Sequence, residues 1–125
     1  MTPEQHLEAI HDILINEKRW IKNFNALTQD GKSVDPKDPQ AYCFCLIGAG
    51  ERCWSGEGKE YMSKSASYLK AAIREMFPAR LGNANQQVFT ARDLFNDHKD
   101  TTFWDVKAVL SAALVTARKE AKHHG

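Results

Sequence analysis

Apolar residues near the start of the chain recur at helical spacing. Leu7, Ile10, Ile13 and Leu14 fall on one stripe, and Glu4, Glu8, Asp12 and Glu17 lie off it. Ahead of the stripe, Thr2 suits an N-cap, Pro3 the first helical position, and Gln5 completes a capping-box spacing. The pattern predicts an amphipathic helix ending near Asn16 to Lys18. From Arg19 to Asp35 the period is lost, with Trp20, Ile21, Phe24 and Leu27 irregularly spaced. Asp30-Gly31 is a favoured two-residue turn. A hairpin insert over about 24–35 follows, Ala26-Leu27-Thr28 against Ser33-Val34, leaning on the helices because two strands alone are marginal.

Asp35-Pro36-Lys37-Asp38-Pro39 is punctuation, with Asp38 and Pro39 read as the N-cap and first residue of a second helix. Its body, Ala41 to Ala49, is apolar on every face, as in a helix wrapped by others. Gly56 and Gly58 mark a loop. Glu60 to Phe77 reads as a third helix with Tyr61, Met62, Ser65, Tyr68, Leu69, Ala72, Ile73 and Met76 along one stripe, closed by Pro78. Gly82-Asn83 opens another loop, and Ala91 to Phe95 forms a short helix. Thr101 or Thr102 then caps a final helix, with Asp105 at capping-box spacing from Thr102.

That last helix carries two apolar faces. Phe103, Val106, Leu110, Ala113, Leu114 and Ala117 make one; Trp104, Ala108, Ala112 and Val115 make the other. Two faces imply two packing partners, so the helix is either central in a bundle or half of a homodimer interface. Residues 119–125 read as a flexible, basic, solvated tail. The fold class expected is mainly α: residues 1–125 as a single-domain helical bundle of about four main helices with a small β-hairpin.

Composition adds mostly exclusions. The 42% hydrophobic and 26% charged residues suit one ordinary globular domain. A formal net charge of +1 argues against a strongly basic nucleic-acid binder. No apolar run approaches the roughly 20 residues of a membrane span, and no signal peptide opens the chain. Three cysteines, an odd number, do not suggest a disulfide framework, so a cytoplasmic setting with reduced thiols is expected.

The order of certain residues resembles a known family. Trp20 follows an amphipathic helix; Asp30-Gly31 and Val34-x-Pro36-x-Asp38-Pro39-x-Ala41 lead into Cys45-Leu46-x-Gly48-Ala49; Asn96-Asp97, Thr101 and Asp105-Val106 come later. This series, from Leu7 to Leu114, is similar to DUF6197, a family of small bacterial and phage proteins of unknown function. Family members often read Trp-Asn-Asp where this chain has Phe95, and Cys43 and Cys53 stand outside the pattern. The resemblance implies a bacterial or phage accessory protein, in the host cytoplasm if phage-encoded, and carries no activity.

Candidate chemistry is sparse. Cys43 and Cys45, two apart on a helix, would point about 200° from each other, so core packing is the expectation and no metal is assigned. Cys53 sits near a helix end beside Arg52 with no local histidine, and is expected to be inert. Asn96-Asp97-His98-Lys99-Asp100 is the best polar candidate: either it fixes a turn through local backbone bonds, or it offers His98 for proton transfer before a helix end. Trp20 and Trp54, at element ends beside Arg19 and Arg52, could wall a groove; Trp104 reads as core or interface. Lys59, Lys64, Lys70, Arg74 and Arg80 give the third helix a basic flank, which a solvated face also explains.

The function expected is a non-enzymatic interaction or small-ligand-binding module. Its candidate binding residues are Trp20, Trp54, Asn96, Asp97 and His98, with no catalytic residue and no cofactor. One alternative is a small enzyme whose site forms around Asp97 and His98 with Cys53 or Glu51. Another is a weak nucleic-acid binder through the basic third helix. The expected partner is a protein or a small ligand, with no membrane, and a homodimer through the last helix is also expected.

Overall fold

The computed structural model describes residues 1–56, 60–81 and 88–124. Among them the elements run α1 (Pro3–Ile13), a 3-10 turn (Glu17–Arg19), β1 (Ala26–Leu27), β2 (Cys43–Phe44), α2 (Leu46–Arg52), α3 (Glu60–Met76), a second 3-10 turn (Pro78–Arg80), α4 (Val88–Asp97) and α5 (Phe103–His124). The fold is mainly α, five packed helices with one small antiparallel pair of strands. α5 packs on α1 and α3, α4 packs on α3, and α2 contacts both α1 and α4. One core joins Leu7, Ile10 and Leu14 to Leu46, Leu69, Ile73, Phe95 and Leu110.

Local chemistry explains the helix starts. Thr2 Oγ1 accepts from Gln5 N at 3.1 Å while Gln5 Oε1 accepts from Thr2 N at 2.9 Å. The same reciprocal box opens α5, between Thr102 and Asp105, at 3.2 and 3.1 Å. α1 stops at Ile13, earlier than its pattern suggested. Its last carbonyls are taken by a side chain from another helix: Lys107 Nζ donates to His11 O at 2.6 Å and Leu14 O at 2.9 Å.

The middle of the chain departs from expectation. The Asp30-Gly31 turn forms as expected and its arms pair: Thr28 N donates to Lys32 O at 2.8 Å, Val34 N to Ala26 O at 3.2 Å, and Leu27 bridges Ser33 antiparallel. β1 pairs in addition with β2, Ala26 opposite Phe44 and Leu27 opposite Cys43, a partner the sequence did not suggest. Cys43 and Phe44, read as part of the body of a second helix, are therefore extended, while Leu46 to Ala49 are helical as expected. Asp38 caps a turn rather than a helix, its carboxylate accepting from Gln40 N at 2.8 Å, and α2 begins only at Leu46. Continuous apolarity does not separate a buried strand from a buried helix; here the backbone of β1 decided it.

Along α3, Ser65, Leu69, Ala72 and Ile73 are buried as expected, whereas Met76 is 40% exposed. α5 buries its first apolar face; of its second, Trp104 and Val115 are exposed while Ala112 packs against the core, and the helix continues through residues 119–124, read above as a tail. Gly58, Lys59, Gly82 and Asn83, and the side chain of Tyr61, lie outside the described residues.

Candidate functional site

The polar candidate near the end of α4 is organised around one amide. Asn96 is 1% exposed, and its Oδ1 accepts from Trp20 Nε1 at 2.7 Å and from Leu46 N at 3.1 Å. Its Nδ2 donates to Ile21 O at 3.0 Å and to Asp97 Oδ1 at 2.9 Å. Four bonds exhaust a primary amide. Asp97 Oδ1 also accepts from Asn23 N at 2.8 Å, where Asn23 holds φ at 70°, a left-handed conformation that asparagine tolerates. Lys22 Nζ reaches His98 O at 2.7 Å. The structure thus brings Trp20, Asn96, Asp97 and His98 into one corner. The bonds of Asn96 and Asp97 reach segments 50 to 76 residues away, apart from the one between them, rather than the local turn.

Asp97 turns to Asn23 and Asn96 and not to His98. His98 Nδ1 accepts from Asp100 N at 3.1 Å. Asn96 holds the first residue of α2, whereas Cys53 caps its far end. Seven helical residues separate those ends by about 10 Å. Trp54 follows Cys53, past the end of α2 that lies away from Asn96. Burial pushes the Cys53 thiol up to about 11, with Arg52 and Lys37 pulling the other way, which leaves little thiolate at neutral pH. Cys43 and Cys45 are 6% and 3% exposed, core residues as expected, but on a strand and at a helix cap rather than on a helix. Cys45 Sγ accepts from Gly48 N at 3.2 Å. Among the described residues no group of three His, Cys, Asp or Glu could hold a metal ion.

A family model described as a family of unknown function, DUF6197, matches residues 1–115. The chain belongs to DUF6197. No curated protein and no solved structure gives a significant match. The residues that carry the DUF6197 pattern are, in this chain, those that lock elements together. Trp20 and Leu46 meet on Asn96. Gly48 lies so close to β1's approach that a Cβ there would sit 1.8 Å from Asn25 O. Thr101 and Asp105 both take Arg80, at 3.3 and 2.8 Å.

One feature of this DUF6197 chain was not singled out from sequence. His6 is 1% exposed, with Nε2 2.9 Å from Gly50 O and Nδ1 3.0 Å from Ser65 Oγ. A carbonyl only accepts, so the proton sits on Nε2 and the Ser65 hydroxyl donates to Nδ1. Burial, then the nearby Arg92, hold this imidazole below its ordinary pKa, against the Gly50 bond. The Ser-His pair is sealed and ties α1 to α2 and α3. Trp104, read from sequence as core or interface, lies outside the core: it is 68% exposed on α5, with Val115 49% exposed on the same face. The double apolar periodicity of the helix signalled that face.

The basic flank of the third helix is broken: Lys70 is 8% exposed and Arg80 is paired with Asp105, which leaves Lys64 and Arg74 on the described surface. Lys59 lies outside the described residues. No helix among the described residues is long and apolar enough to cross a membrane.

Proposed function

We propose that the protein is a non-enzymatic interaction module, an accessory protein of bacterial or phage origin, whose working surface is the outward face of α5. The observation that carries this reading is Trp104, a large apolar side chain 68% exposed on α5. Tryptophan is the residue type most enriched among interface anchors, and an exposed one on a rigid helix is prepared for contact at small entropic cost. The polar corner supports the same reading by elimination. Its amide and one carboxylate oxygen are occupied in joining segments, so Trp20, Asn96 and Asp97 serve the scaffold, and His98 with Asp100 forms a secondary rim. An enzyme site around Asp97 and His98 is less favoured, because the two side chains do not engage each other and Cys53 caps the opposite end of α2. Three free cysteines fit a reducing compartment, so the site of action proposed is the bacterial cytoplasm.

Native mass spectrometry of protein purified gently from its host background tests the reading. A reproducible complex containing a polypeptide partner, lost with Trp104→Ser, is expected. A bare single chain at every concentration, or a complex indifferent to Trp104→Ser, overturns it.

A further inference from the structure

We infer that the end of α1 is a pH-sensitive latch: Lys107 fastens it to α5 only while the His11 imidazole is neutral, and protonation of that ring releases the last turn of α1 from Lys107. The geometry makes the two cations mutually exclusive. Lys107 Nζ lies 2.6 Å from His11 O, 2.9 Å from Leu14 O and 3.1 Å from His11 Nδ1. An ammonium has three protons and no acceptor, so all three are spent on these atoms and Nδ1 must offer its lone pair. The proton of the neutral imidazole is therefore on Nε2, which faces Ser111 Oγ at 3.4 Å. A second proton can go only to Nδ1. There it would meet the ammonium donor to donor and charge to charge, at hydrogen-bond distance.

The charges around the ring do not relieve this. From α5, Lys107 and Arg118 both disfavour the imidazolium; from α1, Asp12 favours it, and Glu8 lines the same groove. α2 and α3, also packed on α1, supply no described charge that acts on the ring. Glu8 is already engaged by Arg118 at 2.7 Å. Asp12 attracts Lys107 as well as His11, so one carboxylate would have to serve two cations. Both side chains are also half-buried, and desolvation is the first cause holding each below its ordinary pKa. Once the ring is charged, the lysine is the group free to move. His11 is fixed to the turn whose carbonyls are at stake, whereas Lys107 reaches them from α5 along a flexible four-carbon stem. Its departure leaves His11 O and Leu14 O without their link to α5. The turn then keeps only helical bonds of its own, the final one running from Leu14 N to Ile10 O at 3.2 Å. α1 loosens there, while its Leu7 and Ile10 stay in the common core.

NMR of the full, isotopically labelled chain between about pH 7.5 and 5 tests this, with amide protection corrected for the intrinsic pH dependence of exchange. Protection of the Ile13 and Leu14 amides should fall several-fold in step with the His11 ring titration, while Leu69 and Ile73 in α3 keep theirs. His11→Gln puts a neutral, non-titrating acceptor at the same position and should hold the protection level across the range. Lys107→Met should lower that protection already at the upper pH and raise the His11 pKa, because the competing cation is gone. Protection that stays level through the His11 titration overturns the latch, and so does an unchanged His11 pKa in Lys107→Met. A fall that persists in His11→Gln overturns it by assigning the effect to another group, His6 first. A parallel loss at Leu69 and Ile73 overturns it too, because that is global unfolding rather than release of one turn.

Discussion

Asn96 shows how much of this fold rests on single groups. Its amide serves Trp20, Ile21, Leu46 and Asp97 from a buried position, so truncation strands several buried donors and acceptors at once. Asn96→Ala should cost about 2–4 kcal/mol, beyond the usual range for one neutral hydrogen bond. Urea denaturation would measure it, and a loss under about 1 kcal/mol would mean that water replaces the amide. Two glycines in α2 make a sharper pair. A Cβ at Gly48 would sit 1.8 Å from the Asn25 carbonyl, whereas at Gly50 its nearest neighbour is Ile10 Cδ1 at 3.7 Å. Gly48→Ala should therefore destabilise by more than about 3 kcal/mol or abolish folding. Gly50→Ala should be neutral or stabilise by up to about 1 kcal/mol, from helix propensity alone. Equal effects at the two positions would show that α2 shifts to absorb either methyl.

At the scale of elements, termini are fixed by side chains from near and far. The start of α5 combines its own capping box with Arg80, which donates to Asp105 at 2.8 Å and lies 4.3 Å from the centre of the Phe77 ring. Thr102→Ala removes only the local half, with an expected cost of about 1 kcal/mol. Arg80→Ala should cost at least as much, because it also uncovers Phe77 and frees a half-buried carboxylate. Thermal melts of both variants would rank them; a larger loss for Thr102→Ala would place the control in the box rather than in the Arg80 bridge. The end of α1 is held by Lys107 from α5. No pattern within α1 itself could announce that partner.

Across the whole molecule, two imidazoles tie stability to pH in one direction. His6 is held below its ordinary pKa by burial and Arg92, and His11 by burial and Lys107. Both are bases depressed in the folded state, so below the unfolded value of about 6.5 the unfolded chain binds protons that the folded chain refuses. Stability should be level above about pH 7 and fall as pH drops through 6, by up to about 1.4 kcal/mol per pH unit for the buried His6 and by less for the more exposed, solvent-screened His11. His6→Leu should lower stability at pH 7.5, because Gly50 O and Ser65 Oγ lose their partner, and should also flatten the acid slope. Chemical denaturation at pH 7.5, 6.0 and 5.0 reads both. An unchanged slope in His6→Leu would assign the dependence to His11 or to other groups.

Wherever a rule runs over a few neighbouring residues, the amino-acid sequence was sufficient. Periodicity exposed α1, α3 and α5, the spacing of Thr2 to Gln5 and Thr102 to Asp105 located two capping boxes, and the doubled apolar stripe of α5 announced an outward face. It was insufficient wherever the partner was distant in the chain. Cys43 to Cys45 reads equally as helix or strand until β1 presents its unpaired backbone. Asn96 and Asp97 look like a local turn until Trp20, Asn23 and Leu46 arrive at their side chains. His6 is one histidine among five until Gly50 and Ser65 close around it. Periodicity is set by backbone geometry, which each segment carries within itself; a hydrogen bond between segments exists only once packing has brought its two halves together.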